Sequence, residues 1–314
     1  MNYYFAPMEG LTDRIYRQLH HQYFPGITQY YTPFISPTIH RTLTQKEQKE
    51  LPPADTLGYK QIPQILTKNP DDFLWMARQC RDLGYEEVNL NLGCPSDTVT
   101  AKGKGSALLA NPEELDCFLY AIFSNAPLAI SIKTRIGFSD ASHFPAIMEV
   151  FNSYPIKELT VHPRIRTAFY NGSVDMVAFC YAVEKSRAPI CFNGNLCTIP
   201  EIESFTHDFP QVKAVMLGRG LLADPGMLSP QGTERPTLEQ FYSALLEAYL
   251  QAFGGSRNAM FRLKENWRYL ICKFEGGEKL YKRLRKTTDL AEYRAITQEI
   301  FHTLPLREHL QPDW

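Results

Sequence analysis

The run Asn89-Leu90-Asn91-Leu92-Gly93-Cys94-Pro95 ends an apolar, alternating segment on a glycine, a thiol and a proline. Proline has no backbone N–H and cannot continue a ladder, so the strand stops there and the thiol stands at its end. A loop rich in glycine and lysine, Lys102-Gly103-Lys104-Gly105-Ser106, follows. A cysteine of ordinary pKa, near 8.5, is mostly protonated at neutral pH and can act as a general acid. Most free cysteines are simply buried, and Cys80, Cys117, Cys180, Cys191, Cys197 and Cys272, in apolar or helical contexts, are expected to be of that kind. The strand-end Gly-Cys-Pro setting makes Cys94 the candidate catalyst.

Eight short β-like runs lead to such ends: 3–6, 28–32, 63–66, 87–91, 128–133, 158–162, 189–193 and 214–218. Helical patterns separate several of them. Asn69-Pro70-Asp71-Asp72 and Asn111-Pro112-Glu113-Glu114 are helix starts, and Gly84 is a stop. Alternation over that length predicts an α/β fold, a (β/α)8 TIM barrel, in preference to an open doubly wound sheet. Residues 225–236, rich in Pro, Gly and Ser, read as a linker. Only helical spacing follows. The expected organisation is a catalytic barrel over 1–235 and a small all-helical domain over 236–314.

Barrels carry function at the C-terminal ends of their strands. In order these ends offer Pro7, Met8 and Glu9; Gln64; Asn91 and Cys94; Lys133 and Arg135; His162 and Arg164; Asn193, Gly194 and Asn195; and Gly218 and Arg219. The set fits flavin mononucleotide. An amide such as Gln64 suits the pyrimidine edge, and Lys133 suits the negative charge of a reduced ring. The glycine-bearing loops at 193–195 and 218–219 suit the phosphate, with Arg219 to neutralise it. Each residue alone has an ordinary explanation, as a loop amide, a satisfied histidine or a turn; their conjunction points to the cofactor. A reduced flavin stacked on an unsaturated ring passes hydride to one carbon, and Cys94 would protonate its neighbour.

Net charge over the 314 residues is −1, but residues 256–286 hold ten basic against three acidic side chains. That stretch suggests an anionic partner, with a solvated helix face as the equal alternative. Lys282, Arg283, Arg285 and Lys286 are its densest part, and Trp267, Tyr269 and Tyr281 are interleaved aromatics, Trp267 more naturally a core residue. Seven cysteines without a C-x-x-C pair argue against a disulfide framework or a structural zinc. Neither a signal peptide nor a membrane span is legible, and a cytoplasmic, metal-free protein is expected.

Taken together, Ala6-Pro7-Met8-Glu9-Gly10, Asn91-Leu92-Gly93-Cys94-Pro95, Lys133-Thr134-Arg135, His162, Asn193-Gly194-Asn195 and Gly218-Arg219-Gly220 resemble the tRNA-dihydrouridine synthases. The resemblance implies an FMN-dependent enzyme, reduced by NADPH, that saturates the C5–C6 bond of uridines in tRNA. It implies Cys94 as the acid at C5 and Pro7, Met8, Glu9, Gln64, Lys133, His162, Asn193, Gly194, Asn195, Gly218 and Arg219 as cofactor positions. Asn91, Arg135 and Arg164 fall near the substrate, Lys102 in a loop that could close beside Cys94, and the tail cations on RNA. The Ala-Pro-Met-Glu-Gly start and the tail around Lys264 and Arg283 look closest to the subgroup acting on position 16 of the D-loop. A monomer is expected. This chain has His162-Pro163-Arg164-Ile165 where the family usually has His-Gly-Arg-Thr. Two other readings share many of these features: a flavin oxidoreductase of free pyrimidines or dihydroorotate, and a non-catalytic tRNA-binding protein.

Overall fold

The computed structural model describes residues 1–310 and 312; residues 311, 313 and 314, at the end of the expected helical domain, lie outside the described residues. The described chain forms two compact units that no single cut in sequence separates. One comprises Met1–Pro7, Thr28–Asn195 and Asp208–Met216; the other comprises Met8–Ile27, Leu196–His207 and the chain from Leu217 onward.

The first unit is built on one parallel sheet. Its strands are β1 (Asn2–Phe5), β2 (Gln29–Tyr31), β3 (Gln61–Ile62), β4 (Gln64–Ile65), β5 (Glu87–Leu92), β6 (Ala129–Arg135), β7 (Leu159–His162), β8 (Ile190–Asn193) and β9 (Ala214–Leu217). Their order is β3-β2-β1-β9-β8-β7-β6-β5-β4. The two ends of that order, β3 and β4, are one strand interrupted at Pro63, which has no N–H to give. Its carbonyl still accepts from Asn89 N at 2.8 Å. The sheet therefore closes on itself as the expected barrel, and all eight sequence-predicted strands form.

Side chains alternate strictly along these strands. On β5, Val88, Leu90 and Leu92 are fully buried against the helical layer, while Asn89 and Asn91 lie on the opposite face. Tyr4, Ala6, Tyr31, Ile62, Cys191, Ala214 and Met216 form one buried apolar cluster. Buried polar side chains, among them Gln64, Asn89 and Asn91, lie on the strands beside it. Helices Pro70–Asp82 and Pro112–Phe123 begin as the sequence indicates. Asn69 Oδ1 accepts from Asp71 N and Asp72 N at 2.9 and 3.2 Å, and Asn111 Oδ1 accepts from Glu113 N at 3.0 Å.

The second unit is helical. Helix Arg14–Tyr23 packs against Arg235–Phe253, with Phe241 edge-on to Tyr16 and Phe24. His20 is buried there, bonded to Pro225 O at 3.0 Å, and burial pushes its pKa down to about 3, so the ring is neutral and donates. Helices Ser256–Leu270, Glu278–Lys286 and Leu290–Thr303 complete the unit. The stretch read as a linker is instead tightly folded. Asp224 pairs with buried Lys273 at 2.7 Å and bonds Thr233 Oγ1, and a Cβ on Gly226 would lie 2.6 Å from that same oxygen. Among the described residues no helix is long and apolar enough to cross a membrane, and no group of three His, Cys, Asp or Glu could hold a metal ion.

Candidate functional site

The register of the barrel lines up the polar side chains that the sequence scatters. Gln64 pairs with Asn89, Asn89 with Ser131 and Asn91 with Lys133 across adjacent strands. Because neighbours in register share a face, these residues form one connected layer. Asn89 Nδ2 donates to Ser131 Oγ at 3.0 Å, Gln64 Nε2 to Asn89 Oδ1 at 2.8 Å, and Asn91 Nδ2 to Gln64 Oε1 at 2.7 Å. Asn91 Oδ1 in turn accepts from Gly93 N and Cys94 N at 3.0 and 2.9 Å. This chain of amides fixes which way each one points. Gln64 retains one N–H and one lone pair for another partner.

Cys94 itself is held on every side through its backbone. Arg135 Nε donates to Gly93 O at 2.9 Å, Ser106 Oγ to Cys94 O at 2.8 Å, and Arg166 Nε to Pro95 O at 3.1 Å. Three consecutive carbonyls and two N–H groups around the thiol are thus bonded, while the residue stays partly exposed. Gly105 sits against it: at φ +62°, its missing Cβ would lie 3.1 Å from Cys94 O and 3.2 Å from Cys94 Cβ. The loop expected to close over Cys94 is in this state folded beside it, with Ser106 wholly buried and Lys102 exposed.

Lys133 and Arg135 lie two apart on β6, on the inner face. Burial, and then the Arg135 cation, push the Lys133 ammonium from its ordinary 10.5 down to about 8. Among the described residues Lys133 makes no hydrogen bond or ion pair. Arg135, 1% exposed, also gives Nη1 to Ile165 O at 2.8 Å and Nη2 to Phe169 O at 2.6 Å. Burial lowers its pKa to about 10, which leaves it charged. Both cations act electrostatically on Cys94.

Arg164, which the resemblance sets near the substrate, is buried. Its Nη1 lies 2.9 Å from His162 Nε2 and its Nε is bonded to Asn171 O at 3.3 Å. A guanidinium can only donate, so Nε2 is the acceptor and the ring proton sits on Nδ1. Asn193 Nδ2 bonds Met216 O at 2.8 Å, and a Cβ on Gly194 would strike the Phe192 ring at 2.3 Å, so only glycine fits there. Asn195 is exposed and Pro7 partly so. Met8, Glu9, Gly218 and Arg219 belong to the helical unit, where Gly218 caps the short helix Arg219–Ala223 and Met8 N donates to Thr12 Oγ1 at 2.9 Å.

Sequence reading missed Asn89, Ser106 and Arg166. The alternation of Asn89 with Asn91 signals a polar inner face, and Ser106 directly follows the quoted glycine. Nothing local singles out Arg166, because its side-chain hydrogen-bond partners are 66 to 71 residues away.

The helical unit carries a cavity of about 1220 Å³. Lys264, Arg268, Lys282, Arg285 and Arg307 line it, against Glu265 and Glu278. Exposed Phe261 and half-buried Tyr281 add ring faces, with Arg285 5.8 Å from the Tyr281 centroid. Of the four tail cations chosen from sequence, Lys282 and Arg285 line this cavity. Arg283 pairs with Glu299 at 3.1 Å, and Lys286 is exposed outside the lining. Trp267 is core, donating to Tyr293 Oη at 2.9 Å.

Fold and site together define a (β/α)8-barrel protein with a braced thiol and clustered cations at its strand ends. The sequence matches the family model described as Dihydrouridine synthase (Dus) over residues 4–300, and the chain belongs to that family. It is 28% identical over 223 residues to tRNA-dihydrouridine synthase B of Pasteurella multocida, covering 71% of this chain and 66% of that protein. It is 22% identical over 317 residues to a probable tRNA-dihydrouridine synthase 1 of Synechocystis, covering 96% and 86%. The matched region thus spans just under two thirds of the length of the Pasteurella relative. Among solved structures, morphinone reductase matches with a TM-score of 0.52 at 10% identity over 72% of this chain and 84% of that one. A variant of NCR from Zymomonas mobilis matches at 0.50 and 10% identity, over 76% and 87%. At such identities the likeness is one of fold.

Proposed function

We propose that this protein is a tRNA-dihydrouridine synthase: an FMN-dependent oxidoreductase, re-reduced by NADPH, that saturates the C5–C6 bond of a D-loop uridine. The observation that carries the reading is the braced Cys94 beside Lys133, in a chain of this family. A half-buried ammonium without a counter-charge is an unfavourable element unless an anion is its partner. The residues therefore fit an anionic cofactor edge. Lys133 would hold that edge, Gln64 and His162 Nδ1–H would supply oriented polar contacts, and the 193–195 loop would take the phosphate. Pro7, Met8, Glu9, Gly218 and Arg219 join this set on the strength of their motifs alone. Bound FMN would supply the hydride.

The chain's own part is proton delivery and charge management. Asn91, Arg135 and Ser106 fix the backbone on both sides of Cys94, so the thiol is presented in one orientation. Cys94 gives its proton to C5 of the uracil and is left as a thiolate. Lys133 and Arg135, two cations in its field, stabilise that thiolate until solvent re-protonates it. Arg135 acts from its place beneath the loop, with Nε and both terminal nitrogens engaged by carbonyls.

The cavity in the helical unit supports RNA as substrate. Its cations would meet phosphate, and Tyr281 and Phe261 would stack on bases. Contacts of that kind offset the few kcal/mol needed to draw a uridine out of folded tRNA. A monomeric, cytoplasmic, metal-free protein is the proposed working form.

The test is Cys94→Ala in the purified protein. Flavin absorbance and tRNA binding should persist while dihydrouridine formation is lost. Turnover surviving that change overturns the assignment of the acid. A colourless protein overturns the cofactor, and activity on free uracil but not on tRNA overturns the substrate.

A further inference from the structure

Among the described residues, Arg166 is a guanidinium near the thiol that neither the strand pattern nor the proposed chemistry accounts for. It opens the short turn Arg166–Ala168 and is held by a set of unlike contacts. Nε donates to Pro95 O at 3.1 Å, and Nη2 donates to Thr100 Oγ1 at 3.1 Å and to the Asp97 carboxylate. Its Cζ lies 5.3 Å from the ring centroid of Phe138 and 5.3 Å from that of Phe169. Its side chain is 15% exposed.

The loop that presents it is equally constrained. Arg166 N donates to Gly137 O at 3.0 Å, while Arg135 donates to Ile165 O and Phe169 O. Phe169 adopts φ +49°, a region that bulky residues avoid. Backbone strain of this kind persists only where surrounding contacts over-determine it. Here it sits in the residue whose carbonyl binds Arg135 and whose ring covers Arg166. The two arginines therefore grip the catalytic turn from its two sides: Arg135 through Gly93 O and Arg166 through Pro95 O, one residue before and one after the thiol. Arg166 also ties that turn to the short helix Asp97–Thr100, which leads into the Lys102–Ser106 loop.

We propose that Arg166 is a positioning residue for Cys94, fixing the trajectory of the thiol by bracing Pro95 and the Asp97–Thr100 turn. The inference rests on the reading of Cys94 as the proton donor. Its geometric content, that Arg166 sets the thiol's presentation, can be measured without turnover.

The test compares Arg166→Ala, Arg166→Lys and Asp97→Asn with the parent in the full chain. Two readouts are taken: the rate and pH dependence of iodoacetamide alkylation at Cys94, and kcat against KM with tRNA. Misplacing a reacting group costs on the order of 10- to 100-fold, so Arg166→Ala should lower kcat by about that factor and leave KM within about 2-fold. Its alkylation rate should change by at least about 3-fold. Arg166→Lys, which keeps a donor and a charge but loses the guanidinium fork that reaches several acceptors at once, should recover only part of both, and Asp97→Asn should move both in the same direction. Alkylation unchanged in all three variants overturns the proposal. So does a raised KM with a flattened salt slope and unaltered kcat, which would make Arg166 an RNA contact. Failure of the Cys94 assignment shows separately, as turnover in Cys94→Ala. If Arg166→Ala does not fold, the other two variants decide.

Discussion

Lys133 should destabilise the flavin-free protein and be retained for its ligand. Burial and the Arg135 cation hold its pKa at about 8 against an ordinary 10.5. At 1.36 kcal/mol for each pH unit the displacement sets a ceiling of about 3 kcal/mol, and partial solvent access leaves about 1–2 kcal/mol. The sign follows from linkage. The folded state releases the proton near pH 8 and the unfolded chain near 10.5, so between those values the unfolded chain binds more protons and stability rises with pH. Below pH 8 the penalty is present in full. Lys133→Met keeps the bulk of the side chain and removes the charge. In flavin-free protein at pH 7 it should therefore raise unfolding free energy by about 1–2 kcal/mol. The gain should fade between about pH 8 and 10.5 as the parent loses its own charge. Flavin affinity should fall about 10-fold or more, because the anion loses its cation. Urea unfolding of flavin-free parent and variant across that pH range, with flavin titration by fluorescence, measures both. A flavin-free variant no more stable than the parent at pH 7, with unchanged flavin affinity, would refute the account of Lys133.

Gly105→Ala places a Cβ 3.1 Å from Cys94 O at φ +62°. It should cost about 1–3 kcal/mol in thermal unfolding and slow turnover by displacing the catalytic turn. Glu158 is pushed up to about 7 from an ordinary 4.5, chiefly by burial, although Tyr4 Oη donates to it at 2.9 Å. The folded state thus holds that proton more tightly. This contribution to stability is complete below pH 4.5 and lost as pH rises through about 7, so Glu158→Gln should gain about 1–2 kcal/mol over the parent at pH 8 and little at pH 4.5. Replacing Arg268, Lys282 and Arg285 together by Ala should weaken tRNA binding and flatten its salt slope by about 2. Arg283→Ala, which breaks only the exposed pair with Glu299, should change affinity by less than about 3-fold. Equal effects of the two changes would mean that the cavity is not the RNA surface. Dihydrouridine mapping in tRNA from cells with and without the protein should show loss at position 16; loss elsewhere would overturn the subgroup resemblance.

The barrel and the address of its chemistry are legible in the order of residues alone. Alternation along Val88–Leu92, Asn-Pro helix starts and the Gly-Cys-Pro stop are local signals, and each strand end follows from them. What those residues meet depends on the folded chain. Pro63 splits a strand without opening the barrel, because the carbonyl of a proline still accepts. Arg135 and Arg164 look alike in sequence, each a strand-end cation set near the substrate, and both are buried and bonded to backbone carbonyls, since a buried guanidinium must find acceptors wherever the fold brings them. The segment read as a linker is packed because its Thr233 bonds Asp224, which in turn meets Lys273, 49 residues on, and no local pattern encodes that meeting. Arg166 was invisible for the same reason. Local pattern fixes which face of a strand a side chain takes; whether a charge on that face meets solvent, a carbonyl or a second cation depends on contacts between distant segments, and those arise only when the barrel closes.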